Sequence, residues 1–522
     1  MTAPGSSAHE IRIQAAGRGE ALAMQDDSTP QVVWFKRDLR IHDHRPLTEA
    51  TRSGGPVLPL YVCEPEQWLQ ADRSARHVAV TSQALSDLDA QLRRLGSRLI
   101  VYPGETLPAL QRLREHLGTF VLWAHEETGN GWTYQRDLSV IEWCREHHIP
   151  FCEHPQFGVT RVLGQRDGWA GRWNRQMAES LTAPPRRLPA LSIPSGFRGI
   201  EAFTERAEVL PEAMQRVGRR VAVGDLESFL RGRAEGYRKH MSSPRTAERG
   251  GSRLSVHLSL GTLAMREVWQ ATTHRRRQLL AKPPERRGTL DEDLKAFEGR
   301  LHWHCHFIQK LESSPAIEFH NMSASVDGLR EEAEPDEARL RAWREGLTGY
   351  PYLDACMRYL NCTGWLNFRA RAMLMSFAAY DLWLHWREPA LHLARLFLDY
   401  EPGIHYSQVQ MQSGTTGINT LRISNPVKQG QDHDPEGEFI GRWVPELAGL
   451  PGPARHTPWT ASPIEQASAG VVLGRDYPHR VVDHVEAARA AQVAIRARRR
   501  EPQARAEAAT IHQRHGSRRR RN

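Results

Sequence analysis

Cysteine is scarce in this sequence. Six cysteines are scattered over 522 residues without a CxxC pair, so we expect reduced thiols and no disulfide framework. Apolar runs of membrane-spanning length are also missing, and the N-terminus has no signal-peptide pattern. These absences predict a cytoplasmic protein that does not enter a membrane.

An excess of positive charge over most of the chain is missing as well. The net charge is +9, but residues 489–522 alone hold eleven arginines and two glutamates, which accounts for the whole excess. The rest of the chain is formally neutral, so a basic groove there would need uneven placement of charge. The run Arg518–Arg521 either binds nucleic-acid phosphates non-specifically or is a solvated tail, and both interpretations stay open.

Five short apolar segments alternate with helical patterns between residues 31 and 155. The predicted strands are Gln31–Phe35, Val57–Val62, Arg98–Tyr102, Phe120–Ala124 and Ile149–Glu153. The predicted helices are Ser74–Leu95, Leu107–Leu117 and Tyr134–His147. This alternation predicts a parallel, Rossmann-like α/β domain. Neither GxGxxG nor GxxxxGK[ST] occurs in it, so no standard fingerprint assigns a nucleotide to this domain.

Composition divides the rest of the chain into four segments. Residues 1–30 are small, polar and aperiodic, which predicts disorder. Residues 156–225 are rich in proline, glycine and arginine, which predicts an inter-domain connector with some helix. Residues 226–460 are helical and contain eight tryptophans, which predicts a large all-helical domain. Residues 461–522 are rich in alanine and arginine and are expected to form a basic, largely disordered tail.

A glycine-rich loop, Gly250–Ser255 with the sequence GGSRLS, precedes a predicted helix. Its glycines free the backbone, its serines offer hydroxyl groups, and Arg253 adds a positive charge. Such a loop can hold a phosphate group through backbone N–H groups and hydroxyls. The alternative is an ordinary glycine turn before a helix.

Two arginines lie in the strongly apolar helical stretch from residue 363 to 386. Arg369 and Arg371 are two positions apart and therefore point to different faces of a helix. An arginine in a core helix requires an anionic partner, so one could meet an internal carboxylate while the other faces a ligand. The alternative is that both lie on a solvated edge.

Three histidines alternate in the sequence His302–His306, HWHCH. On a strand they would share one face and indicate a metal site, whereas on a helix only His302 and His306 would stack. The surrounding pattern is helical, and no nearby set of ligands completes a coordination shell. We therefore predict no metal.

Read in order, the segments from about residue 31 to about residue 460 resemble the photolyase/cryptochrome family. The resemblance depends on many ordered matches across both predicted domains. The matching positions are Val33–Arg40, His42, Asp43, Tyr237, Ser252–Ser255, Thr348–Pro351, Asp354, Thr363–Trp365, Arg422, Asn425, Pro426, Gln429 and Gly437–Leu447.

This resemblance implies a light-driven flavoprotein. In the family, a helical domain holds FAD in a folded form, and the excited reduced flavin donates an electron to a pyrimidine dimer flipped out of DNA. An N-terminal α/β domain often holds an antenna chromophore of the folate or deazaflavin type, whose residues are not recognisable in this sequence. The resemblance therefore leads us to expect FAD as cofactor, DNA with pyrimidine photolesions as partner, and a monomer.

The resemblance also implies roles for individual residues. Arg371 is expected to pair with Asp399 beside the flavin, and His405 stands where the family places the residue that faces flavin N5. The expected cofactor-binding residues are Tyr237, Gly251, Ser252, Arg253, Leu254, Ser255, Arg371, Asp399, Glu401 and His405. The expected DNA-binding residues are Trp303, His304, Phe368, Arg369, Met411 and Arg422. The expected catalytic residues are Trp303 and Arg300, with Trp386 and Trp343 as electron carriers.

Several positions depart from the family pattern. Arg300 stands in place of a glutamate typical of dimer-repairing enzymes, and Phe368 and Met411 replace an asparagine and a second pocket tryptophan. Val409 and Ala333 replace two members of the usual tryptophan chain. Only three cysteines lie in the helical half, fewer than an iron–sulfur cluster needs.

Three functions therefore remain open from the sequence. The first is a DNA photolyase that splits pyrimidine dimers. The second is a blue-light receptor of the cryptochrome type without repair activity, which the missing glutamate and the incomplete tryptophan chain favour. The third is a nucleic-acid-binding protein with a vestigial flavin.

Overall fold

The structure is a computed structural model and describes residues 28–189, 191–283, 287–330 and 335–516. Almost all of the segment 1–30, for which we predict disorder, lies outside these ranges, and so do Ala333 and Arg518–Arg521. No helix within the described ranges is both long and apolar enough to cross a membrane.

The N-terminal domain is built on one five-stranded parallel sheet. Its strands are β1 (Gln31–Phe35), β2 (Val57–Val62), β3 (Ile100–Tyr102), β4 (Val121–His125) and β5 (Phe151–His154). They lie in the order β3-β2-β1-β4-β5, and every neighbouring pair is parallel. All residues of β1, β2 and β4 are buried, because helices cover both faces of the sheet. The predicted parallel α/β domain is confirmed.

Helices connect these strands and cover the sheet. They are α1 (Arg45–Arg52), α2 (Pro65–Trp68), α3 (Ala75–Arg94), α4 (Thr106–Leu117) and α5 (Gly131–Glu146). The long helices α3, α4 and α5 match the sequence prediction within a few residues. From β1 the chain adds β2 and β3 on one side of the sheet, and then β4 and β5 on the other side. The carboxyl ends of β1 and β4 therefore bound the crevice where sheets of this kind bind ligands.

Residues 156–225 contain α6 (Trp169–Ala178), α7 (Glu201–Thr204) and most of α8 (Arg219–Ser228). This connector folds back on the first domain: Arg198 forms an isolated antiparallel bridge with Val101, and Leu188 N–H donates to the Leu95 carbonyl at 2.8 Å. The connector, which contains many prolines and glycines, thus runs over the surface of the sheet domain and is not a free linker.

The second domain is helical and holds the largest cluster of buried apolar side chains. Its α-helices are α9 (Tyr237–His240), α10 (Pro244–Gly250), α11 (Ser255–Leu260), α12 (Met265–Leu280), α13 (Leu290–Ser313), α14 (Glu337–Glu345), α15 (Pro351–Thr363), α16 (Phe368–Ser376), α17 (Arg387–Leu396), α18 (Pro402–Gln412), α19 (Pro426–His433) and α20 (Glu438–Trp443). Two π-helical turns, Phe229–Arg233 and Phe377–Asp381, extend α8 and α16. The central pair α13 and α18 pack closely, and both carry predicted site residues.

The C-terminal segment differs from the prediction of a largely disordered tail. It forms α21 (Pro463–Ser468), α22 (His484–Arg500) and α23 (Pro502–His515). Ala491 and Ile495, four residues apart on one face of α22, are buried against Tyr380. This apolar face lies between arginines in the sequence. It packs on the helical domain and anchors the segment there.

Candidate functional site

An internal ion pair joins α16 to the turn between α17 and α18 in the second domain. Arg371, on α16, donates from Nη2 to both carboxylate oxygens of Asp399 at 3.0 and 2.8 Å. Burial alone would raise the pKa of Asp399, but the Arg371 charge and its hydrogen bonds lower the pKa below its usual value. The guanidinium of Arg371 also lies 4.0 Å from the Phe397 ring centroid. Arg369, two positions earlier, is exposed.

The glycine-rich loop meets this ion pair. The Ser255 side chain hydrogen-bonds Asp399, and the Arg253 guanidinium stacks 3.9 Å from the Trp365 ring centroid. Arg253 has a φ of 61°, in the left-handed region that costs non-glycine residues free energy. A Cβ on Gly251 would lie 2.6 Å from the Ala247 carbonyl oxygen. The surrounding structure therefore keeps the loop in a conformation that costs free energy. An ordinary turn has no need of such a conformation.

Several buried polar atoms around this cluster have no hydrogen-bond partner among the described residues. They are Nη1 of Arg253, Oδ1 of Asn367 and both amide atoms of Gln408. A buried polar atom without a partner costs about 1–3 kcal/mol, so such atoms on α16, α18 and the loop before α11 indicate a polar ligand. A guanidinium, amides and serine hydroxyls suit the phosphates and the heteroaromatic ring edges of FAD.

Glu401 and His405 lie at the start of α18 and are both buried. Oε2 of Glu401 accepts from Nη2 of Arg37 at 2.5 Å, and Oε1 accepts from Gly403 N–H at 3.4 Å. His405 Nε2 lies 2.9 Å from the Ala390 carbonyl oxygen, which makes that nitrogen the donor. Burial lowers the pKa of His405 to about 4. The ring is therefore neutral at pH 7 and keeps Nδ1 as an acceptor.

A surface cavity of about 380 Å³ lies between α9 and α13. It is lined by Arg238, Met241, Ala296, Gly299, Arg300 and Trp303. Arg300 and Trp303 are three residues apart on α13, so they lie on one face of the helix. The Trp303 side chain is 41% exposed, which is high for a tryptophan. Tyr237 lies buried nearby against Phe229 and Phe297, and burial raises its pKa to about 12.

The other residues predicted to touch DNA divide into two groups. Phe368 is 45% exposed, Arg369 and Arg422 are exposed, and Met411 is half-buried. His304 instead packs against Phe157 at 5.4 Å between ring centroids, and burial lowers its pKa to about 4. His304 is half-buried and its ring is neutral, so its DNA contact stays a prediction.

The alternating histidines lie on the helix α13, as the pattern indicates. The His302 ring packs edge-on against Trp169 and Trp173, each at 4.9 Å. His306 Nδ1 accepts from Nη2 of Arg166 at 2.6 Å. These contacts explain both histidines as packing residues.

Among the described residues, the group with metal-ligand geometry is Asp38, His44 and His125. Oδ2 of Asp38 accepts from His44 Nε2 at 2.8 Å and from His125 Nδ1 at 2.7 Å. His44 Nδ1 in turn accepts from Leu47 N–H, which makes His44 Nε2 the protonated nitrogen. The three side chains thus form a complete hydrogen-bond network at the end of β1.

Both tryptophans predicted to carry electrons are fully buried. Trp386 donates from Nε1 to Oδ1 of Asn321 at 2.8 Å, and Trp343 donates from Nε1 to the Leu374 carbonyl at 3.1 Å. The ring of Trp386 lies 5.4 Å from that of His385, and the ring of Trp343 lies 5.5 Å from that of His392.

Charged side chains fill the crevice at the carboxyl ends of β1 and β4. Arg136 forms ion pairs with Glu64, Glu127 and Asp137, and Lys36 pairs with Asp137 at 2.9 Å. The cavity left there measures about 40 Å³, which is room for a few water molecules. No local sequence pattern predicts the whole network, because Glu64 and Lys36 lie 72 and 101 positions from the partners that they meet.

Two family models match the chain. One described as the FAD binding domain of DNA photolyase matches residues 297–497, and one described as DNA photolyase matches residues 31–161. The Deoxyribodipyrimidine photo-lyase of Streptomyces griseus is 31% identical over 472 residues, which is 87% of this chain and 97% of that protein. The Cryptochrome DASH of Gloeobacter violaceus is 28% identical, over 88% of this chain and 94% of that protein.

A solved structure shares the whole architecture. The bacterial class III photolyase from Agrobacterium tumefaciens superimposes with a TM-score of 0.80 at 25% identity, and the match covers 92% of this chain and all of that chain. The likeness thus spans the sheet domain, the connector and the helical domain together.

Proposed function

The chain belongs to the photolyase/cryptochrome family, and from that membership we propose that it is a light-driven DNA-repair flavoprotein that splits pyrimidine dimers. The observation that carries the proposal is the cavity lined by Trp303 and Arg300, which lies on the same domain as the Arg371–Asp399 cluster. An exposed aromatic face beside a cation suits a base that has left the DNA stack.

We assign the FAD site to the cluster of Arg371, Asp399, Arg253, Ser252 and Ser255. Arg253 and the serine hydroxyls would hold the phosphates, and Arg371, fixed by Asp399, would lie at the ring system. When bound, the flavin supplies the light-driven electron that splits the dimer, while the protein supplies geometry and electrostatics.

We assign lesion recognition to α13. Trp303 would stack on a base of the dimer, a contact worth about 1–3 kcal/mol. Arg300 would donate hydrogen bonds to a lesion carbonyl and stabilise negative charge on it, the role that hydrogen-bond donors play at developing anions. An arginine thereby takes over from the glutamate typical of the family.

The test illuminates reduced protein with single-stranded and double-stranded DNA that carries thymine dimers and measures dimer loss and affinity. We expect Trp303→Ala to weaken lesion binding about 5- to 150-fold, the equivalent of the stacking free energy. Arg300→Ala should lower repair per absorbed photon more than it lowers affinity. Phe319→Ala and Arg145→Ala, which remove an exposed aromatic ring and an exposed arginine elsewhere, are the matched controls.

A receptor without repair activity is the second candidate. Arg300 in place of the glutamate, Val409 in place of a chain tryptophan and the similarity to Cryptochrome DASH proteins favour it. No dimer loss in light, together with normal FAD content and unchanged lesion affinity in Trp303→Ala, would support the receptor. A preparation without FAD would leave only a nucleic-acid-binding protein.

A further inference from the structure

A buried tyrosine lies between the two acidic residues of the candidate flavin site. Tyr400 follows Asp399 and precedes Glu401 in the chain, and it is 5% exposed. Its hydroxyl donates to Oδ2 of Asp72, on the sheet domain, at 2.6 Å. That distance lies at the short end for O–H···O⁻ bonds, which indicates a strong charge-assisted contact.

The charge state of this pair is set by its surroundings. Burial alone would raise the pKa of Asp72, but the Arg73 charge and hydrogen bonds from Tyr400 and Asn130 lower it below its usual value. Burial, with the Asp72 charge, raises the pKa of Tyr400 well above its usual range. A neutral phenol therefore faces a carboxylate, which is the arrangement that a proton acceptor needs.

The ring of Tyr400 also touches the flavin-site residues. Its centroid lies 5.3 Å from that of His405 and 5.8 Å from that of His77, on which it stacks. The Tyr406 side chain hydrogen-bonds its hydroxyl. Arg73 lies 5.4 Å from the ring, but it also lies 3.8 Å from the Asp72 carboxylate, so the two charges offset each other.

Other aromatic side chains of the helical domain lie in a different electrostatic setting. Arg330 is 4.6 Å from the Trp383 ring and 5.6 Å from the Tyr380 ring, and two of its nitrogens lack a partner among the described residues. A cation so close opposes the positive charge that electron loss would create. Trp386 donates only to a neutral amide, Asn321.

We propose that Tyr400 is an electron donor to the photoexcited flavin and that Asp72 accepts its proton. One electron leaves the Tyr400 ring for the oxidised flavin, the phenolic O–H bond breaks, and the proton moves to Oδ2 of Asp72. The products on the protein are a neutral tyrosyl radical and a protonated carboxyl group. An external thiol then returns one electron, and Asp72 returns the proton.

The proton acceptor makes this step favourable inside the protein. Electron loss without proton loss would leave a buried cation, and an uncompensated buried charge is strongly destabilising. Because Asp72 lies in place before the electron moves, no charge has to be created at the ring. Tyr400 thereby supplies the electron that a tryptophan would supply if it stood at the position of Val409.

The experiment uses the FAD-loaded protein under blue light with dithiothreitol. We expect Tyr400→Phe to slow flavin photoreduction by about tenfold or more, and Asp72→Asn to slow it while keeping an oxygen acceptor at the same place. Tyr380→Phe, which removes a hydroxyl from an equally buried tyrosine, is the matched control. Trp386→Phe, run in parallel, tests the tryptophan route.

A second measurement applies to the unmodified protein and is independent of how the variants fold. Protein with ring-deuterated tyrosine, illuminated and frozen, should show a tyrosyl radical whose electron paramagnetic resonance spectrum narrows on deuteration. A tryptophan radical alone, or normal photoreduction in Tyr400→Phe, overturns the proposal.

The proposal rests on the FAD site assigned above but not on dimer repair. A protein that repairs dimers but photoreduces normally without Tyr400 would refute only this inference. A protein with tyrosyl radical formation but no repair would refute only the proposed function.

Discussion

At the scale of single residues, Arg371 depends on Asp399. The carboxylate neutralises a guanidinium that comes 28 positions earlier in the chain and fixes its direction through two hydrogen bonds. The Arg371 side chain keeps 25% of its surface exposed, whereas Asp399 keeps 4%. One side of the Arg371 guanidinium therefore stays accessible, and a ligand can contact the positive charge there.

Asp399→Ala should lose FAD and stability together. Removing one partner of a buried pair costs about 3–5 kcal/mol, and the partial exposure of Arg371 places the expected loss at or below the lower end of that range. Flavin absorbance per protein and urea unfolding measure both effects. Asp432→Ala, which breaks the exposed pair with Lys428, should change neither by much. A yellow, equally stable Asp399→Ala protein would refute the assignment.

At the scale of elements, one glutamate of α23 joins this helix to the turn at residues 323–325. Oε2 of Glu507 accepts from the Ser323 hydroxyl at 2.6 Å and from Ser325 N–H at 3.2 Å, and Oε1 accepts from Ala324 N–H at 2.8 Å. A single carboxylate thus satisfies the polar groups of the turn that follows Asn321, the hydrogen-bond partner of Trp386. The C-terminal helices are part of the folded body through this contact and through the buried face of α22.

Glu507→Ala should loosen α23 without unfolding the protein. Hydrogen bonds to a charged group contribute about 1.5–3 kcal/mol, so local opening of residues 502–515 should become much more frequent. Amide hydrogen exchange across α23 measures this opening, with Arg505→Ala as an exposed control on the same helix. Equal protection in both variants would mean that α23 is held by other contacts.

At the scale of the whole molecule, the two domains meet at buried charges. Glu312, near the end of α13, faces Arg161 at 3.9 Å, and the carboxylates Glu126, Glu153 and Asp137 of the sheet domain act on it. Burial, with these acids, raises the pKa of Glu312 to about 7 although Arg161 lowers it. The interface therefore holds a carboxyl group that titrates near neutral pH.

This pKa predicts the pH dependence of stability. The folded protein keeps the Glu312 proton up to about pH 7, whereas the unfolded chain releases it near its ordinary pKa of 4.5. The folded state thus binds more protons in that window, so the free energy of unfolding falls as the pH rises through it. The penalty is complete above about pH 7.

Glu312→Gln should remove that penalty. We expect the variant to exceed the parent protein in unfolding free energy by about 1–3 kcal/mol at about pH 8 and by little at about pH 5. Urea unfolding at the two pH values measures the difference, with the exposed Glu142→Gln as control. A gain that does not depend on pH would assign the effect to packing instead of titration.

Local structure and family membership follow from the order of residues along the chain. Strands β1 and β2 have the predicted bounds, because a strand covered on both faces is apolar at nearly every position. The ordered motifs from residue 31 to 460 are specific because each occupies a required place in the fold. The Arg371–Asp399 pair was predictable in this way, and the roles of Arg300 and Trp303 stay predictions.

Which distant side chains meet depends on the packing of the folded chain. Arg37 pairs with Glu401, 364 positions away in the chain, and Tyr400 reaches Asp72 across 328 positions. His304 packs against Phe157, and α22 buries an apolar face that its arginines conceal. Such contacts depend on how whole helices pack against the sheet domain, and no periodicity within one segment records that packing.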